Sequence, residues 1–140
     1  MVELAKLHAN AKLVKDFRIV LDDGTGHGMV IDLPADQGMG IGPSALELAL
    51  MSYAGCYATI FALTAQKMRI QLKDLEVDVE AVKSEQAGTI TEACFDVTVK
   101  ADARKDRIQR IHELTSRSCP VGKLFDKAGV KTTYSLHAAS

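Results

Sequence analysis

The first third of the chain alternates apolar and polar positions in short runs. Residues 9–14 and 17–21 predict strand, and Asp22-Asp23-Gly24-Thr25-Gly26 predicts a turn, because Asp-Gly supplies the positive φ of a tight hairpin. Residues 27–33 return as strand, and the glycine-rich, aperiodic stretch 34–42 predicts a loop. A long apolar helix then opens at Pro43-Ser44. Ser44 with Glu47 three places on fits a capping box, in which hydroxyl and carboxylate satisfy orphan N–H groups reciprocally. The helix is expected to run to about Met68. Two alternating runs follow, 75–82 and 89–100, joined by a hairpin loop at 84–88. On the first, Leu75, Val77, Val79 and Ala81 share a face; on the second, Phe95, Val97 and Val99 oppose Cys94, Asp96, Thr98 and Lys100. Residues 106–115 carry a helical period through Ile108, Ile111 and Leu114. Cys119-Pro120 starts a further helix, since proline suits the first helical position, and Gly129 caps it. Residues 130–136 predict a last strand. The order ββ-α-ββ-α-α-β makes this an α+β fold with a mixed or antiparallel sheet around a long buried central helix.

Composition narrows the class. The 140 residues suit a single domain spanning 1–140, with 25% charged and 47% hydrophobic residues. A formal net charge of −1 gives no reason to expect nucleic acid or an anionic membrane as partner. Residues 48–65 hold no charge, a length approaching that of a membrane span, but Ser52, Tyr53, Cys56, Tyr57, Thr59 and Thr64 interrupt the run. A core helix is the expected reading. The N-terminus lacks the basic-then-apolar order of a secretory signal, and the cysteines number three. A reducing cytoplasmic setting is therefore expected, where a cysteine pair is more often catalytic than structural.

The cysteines carry the candidate chemistry. Cys56 lies midway along the apolar helix, where a desolvated thiol reacts poorly unless a cation comes to it from elsewhere. Cys119 sits at a predicted helix N-cap with Arg117 and Lys123 close in sequence, so local physics makes it the more acidic thiol. Cys94, mid-strand, reads as a packing residue. Glu47 precedes Cys56 by nine positions, about 13 Å of rise and about half a turn away on one straight helix. It can serve that thiol only through a cation or from another subunit. There is no C-x-x-C or H-x-x-x-H, and His8, His27, His112 and His137 are scattered, so no metal or other cofactor is expected. Neither Cys56 nor Cys119 has a local signature pairing it with His112 as a hydrolase. The glycines of Asp23-Gly24-Thr25-Gly26-His27-Gly28 precede a strand rather than a helix and so lack the mechanism of a phosphate loop.

Two motifs at suitable separation resemble the OsmC/Ohr family of thiol-dependent peroxidases. One is Pro43-Ser44-Ala45-Leu46-Glu47-Leu48, leading through small apolar residues to Cys56; the other is Ser118-Cys119-Pro120-Val121. The resemblance implies an intertwined homodimer with sites at the subunit interface. It implies that Cys56 attacks a hydroperoxide, that Cys119 resolves the product as a Cys56–Cys119 disulfide, and that an external dithiol restores both thiols. This reverses the ranking from local physics. The family's catalytic carboxylate falls where Leu46 stands, one step before Glu47, and its arginine where Lys15 stands. Arg18, the one arginine before the helix, is the candidate cation, with Lys15 the alternative. These displacements leave a second reading, a non-catalytic dimeric stress or small-molecule-binding protein on the same fold.

Overall fold

The structure is a computed structural model and describes residues 4–139. The chain divides into two compact units, one ending at Ala49 and one beginning at Leu50.

The first unit holds strands β1 (Asn10–Lys15), β2 (Arg18–Asp22) and β3 (Gly28–Ile31) in an antiparallel sheet of that order. The stretch expected to give two strands thus gives three, and the order becomes βββ-α-ββ-α-α-β. The cause is Asp16, whose φ of 52° lets the chain reverse within two residues so that Lys15 pairs with Arg18. The β2–β3 turn forms at the predicted Asp-Gly, with Gly24 at φ 86° and the Asp22 and Asp23 carboxylates accepting the amides of Gly24 and Thr25. Asp32 is buried, and its carboxylate accepts the Leu33 and Ile41 amides, tying down both ends of the following loop. Helix α1 (Ala45–Lys67) begins here with the predicted box: Ser44 N–H donates to Glu47 Oε1 at 2.9 Å and Glu47 N–H to Ser44 Oγ at 3.2 Å.

The second unit holds β4 (Leu72–Ser84), β5 (Thr89–Ala101) and β6 (Lys131–Ala139), with α2 (Lys105–Ser118) and α3 (Pro120–Lys127) between the last two strands. β5 is central, antiparallel to β4 and parallel to β6, so this sheet is mixed. The parallel pairing requires the long crossover that α2 and α3 provide. Alternation along β5 does what the pattern promised. Ala93, Phe95, Val97, Val99 and Ala101 are buried, while the intervening side chains face out. Tyr53, Tyr57, Phe61 and Ala65 form an i, i+4 stripe along α1 and join this core with Ile108 and Ile111 of α2. Each such fully buried ring or aliphatic chain contributes about 1.5–3 kcal/mol. By length and composition α1 could cross a membrane; its buried stripe makes it the core helix of this unit.

Candidate active site

Pro120 determines the local geometry of Cys119. The residue before a proline is held extended, and Cys119 has φ −67° and ψ 112°, the backbone of an N-cap. Its sulfur accepts the Gly122 N–H at 3.4 Å, while its own N–H donates to Thr115 O at 3.0 Å, closing α2. The expected cap is therefore present. The expected acidity is not. Cys119 is 2% exposed, and its thiol is pushed up to about 11, first by burial and then by the side chain of Cys56. The Gly122 and Val121 amides pull the other way and lose. At this sulfur, desolvation outweighs the helix terminus.

Cys56 lies on α1 beside the buried stripe, half-buried and packed against the core. Its side chain is the second cause, after burial, of the rise at Cys119, and it packs against the buried cluster that holds Cys119. Two thiols far apart in sequence thus meet, one reachable from solvent and one buried behind it. Cys94 lies apart. Its place on the outward face of β5 leaves it exposed, with the Thr133 hydroxyl donating to its sulfur at 3.3 Å, so it is not the packing residue expected.

A polar cluster within the core accompanies the thiols. The Tyr57 hydroxyl lies 2.6 Å from His112 Nδ1, and Tyr53 Oη donates to Thr132 Oγ1 at 3.3 Å and lies 3.4 Å from Tyr134 Oη. Tyr57 and Tyr134 are raised above the ordinary phenol range, chiefly by burial, with the charge a Cys119 thiolate would carry adding to both. His112 is lowered by burial, against the opposing pull of Glu113. In the sequence Tyr53 and Tyr57, at i, i+4 spacing, read only as interruptions of an apolar helix. Nothing in that spacing pointed to hydroxyl partners on α2 and β6.

The remaining candidates belong to the first unit. Arg18 is half-buried, and among the described residues its Nε is buried without a hydrogen-bond partner; Lys15, across the hairpin, is exposed. Glu47 is held in its cap, where the Ser44 N–H, then its hydroxyl, lowers the carboxyl below the usual carboxylate value. Among the described residues no group of three or more His, Cys, Asp and Glu side chains has the arrangement of a metal site.

An uninterrupted helix, a mixed sheet crossed by two short helices, and a dithiol between them define a known class. The model of the OsmC-like proteins matches residues 37–135, and the chain belongs to the OsmC family. Solved structures agree on the fold. An OsmC-like protein from Mycoplasma pneumoniae superposes with a TM-score of 0.87 at 16% identity, covering 97% of this chain and 99% of that one. An organic hydroperoxide resistance protein from Elizabethkingia anophelis gives 0.75 at 14% identity over 99% and 100%. The organic hydroperoxide resistance protein OhrB of Bacillus subtilis gives 0.64 at 21% identity over 96% and 99%. No curated protein matches the sequence significantly.

Proposed function

We propose that this protein is a cytoplasmic, homodimeric thiol peroxidase that reduces organic hydroperoxides. The observation that carries the reading is the approach of Cys56 to Cys119, a half-buried thiol backed by a buried one. The Cys56 thiolate attacks the O–O bond, the alcohol leaves, and a sulfenic acid remains. Cys119 attacks the sulfenic sulfur, its proton leaves with the displaced hydroxide as water, and the Cys56–Cys119 disulfide closes. A dithiol then reduces it by exchange. Arg18 is the proposed cation for the Cys56 thiolate and the peroxide, which its unpartnered buried Nε supports. Glu47 is the proposed carboxylate that orients this cation, in addition to its cap. Apolar surroundings favour alkyl hydroperoxides over hydrogen peroxide. No metal or organic cofactor takes part in this scheme.

The test is consumption of tert-butyl hydroperoxide with dithiothreitol as reductant. Cys56→Ser is expected to abolish turnover. Cys119→Ser should impair disulfide-coupled recycling and, with dithiothreitol omitted, leave a single turnover that ends in a trappable sulfenic acid. Peptide mapping after one equivalent of peroxide should find Cys56 joined to Cys119 and Cys94 free. Undiminished turnover in Cys56→Ser would make that thiol structural, and Cys94 in the bridge would refute the assignment of Cys119 as its partner.

A further inference from the structure

A cavity of about 430 Å³ lies in the second unit where α2 and α3 meet β6. It is separate from the thiols. Among the described residues no cysteine lines it, and Tyr53 and Gly122 close the side toward Cys119. A Cβ at Gly122 would stand 3.2 Å from Tyr53 Cε1 and 3.5 Å from Cys119 Sγ, so that gap is already filled. No step of the peroxidase scheme uses this space.

Its lining is polar. Val130 is the one aliphatic side chain among the described lining residues, which leaves an alkyl chain little to bury against. Tyr53, Thr132 and Tyr134 gather their hydroxyls at one place: Tyr53 Oη donates to Thr132 Oγ1 at 3.3 Å and lies 3.4 Å from Tyr134 Oη. A hydroxyl offers one hydrogen and two lone pairs. These contacts leave most of the lone pairs unused, and among the described residues the Thr132 O–H has no acceptor. The charge is uneven as well. Arg117 and Lys123 stand against the single carboxylate of Asp126, and among the described residues neither cation enters an ion pair.

We propose that this cavity binds a small hydroxylated oxyanion, a sugar acid or a polyol phosphate. Arg117 and Lys123 hold the anionic group, and the Tyr53–Thr132–Tyr134 cluster holds the hydroxyls. The volume suits a small molecule fixed by a few polar groups. Arginine beside lysine suits a carboxylate or a phosphate. The clustered hydroxyls both donate and accept, as a polyol requires, whereas a bare anion can only accept. An alkyl acid would satisfy the cations and leave the hydroxyls unpaired, which costs affinity.

Isothermal titration calorimetry on the fully reduced protein, without peroxide, tests the site independently of the peroxidase reading. The probes are gluconate, glycerophosphate, hexanoate and sorbitol. Gluconate or glycerophosphate should bind, and the tighter of the two identifies the anionic group. Hexanoate keeps the charge and chain length of gluconate without its hydroxyls; sorbitol keeps the hydroxyls without the charge. Each should bind at least about ten-fold more weakly. Arg117→Gln with Lys123→Gln should weaken the hydroxylated anion by about ten-fold or more. Asp126→Asn should tighten it by roughly two-fold, a gain that partial unfolding cannot mimic. Tyr134→Phe should narrow the preference for gluconate over hexanoate, a ratio taken on one protein. Hexanoate or sorbitol binding as tightly as the hydroxylated anions would overturn the site. So would no binding of either anion, or undiminished affinity in the double variant.

Discussion

The hydroxyl of Tyr57 lies 2.6 Å from Nδ1 of His112, joining the core stripe of α1 to α2. The protonation states follow from burial. Tyr57 is completely buried and held above the ordinary phenol range, so it keeps its proton. His112 is lowered from 6.5, so near neutral pH its imidazole is uncharged and accepts that proton as a hydrogen bond. Tyr57→Phe removes the donor and leaves Nδ1 unpaired. The expected loss of stability is about 1 kcal/mol, read from urea unfolding.

The same pair predicts a pH dependence. A histidine whose folded-state pKa is depressed binds its proton more readily in the unfolded chain. Stability should be full above the unfolded value of 6.5 and should fall as pH drops below it. Unfolding free energies measured between about pH 7 and about pH 5 should show this slope, and His112→Gln should flatten it. A slope unchanged in His112→Gln would assign the dependence to other groups.

The thiol pair makes a prediction of its own. Burial comes first and Cys56 second among the causes that push Cys119 up to about 11. In a Cys94→Ser background, removing Cys56 as well should lower the Cys119 titration without returning it to the ordinary value of 9.0. Thiolate ultraviolet absorbance reads this directly. No change on removing Cys56 would mean that the two side chains do not interact.

What was legible in the sequence was local. The Ser44–Glu47 box, the alternation of β5 and the cap formed before Pro120 each depend on a few neighbouring residues, and each is found as read. The hairpin at Asp16-Phe17 was missed because it uses neither glycine nor asparagine, only an aspartate in the left-handed region. The acidity of Cys119 was misjudged for a related reason. Its N-cap position is set by the next residue, but its desolvation is set by a core assembled from α1, α2 and β5. Cys94 shows the converse. Its outward register was readable from Asp96, Thr98 and Lys100, and the general preference of cysteine for burial gave way to it.

Substitution separates the cap that Glu47 forms from the role proposed for it in the mechanism. Ser44→Ala removes the hydroxyl half of the box and should cost about 1 kcal/mol. Glu47→Gln keeps an oxygen that can accept the Ser44 N–H and should hold most of the stability, while Glu47→Ala should not. If the carboxylate also orients the cation, Glu47→Gln should lose peroxidase activity despite its stability. Full activity in Glu47→Gln would leave Glu47 a helix cap only.

Arg18 sets function against stability most directly. A buried guanidinium Nε without a partner carries a desolvation cost that folding must absorb. A group kept at such a cost is expected where a ligand or a developing charge completes it. Arg18→Met preserves the length of the apolar stem and removes the orphaned donor. Its melting temperature should therefore equal or exceed that of the native chain. Peroxide consumption should fall roughly ten-fold or more, as when an oriented donor to a transition-state charge is lost. Lys15→Met, which removes an exposed neighbour, should leave both quantities close to native. A destabilised Arg18→Met with undiminished turnover would show that the guanidinium is structural and would return Lys15, or a residue from the partner copy in the proposed dimer, as the cation.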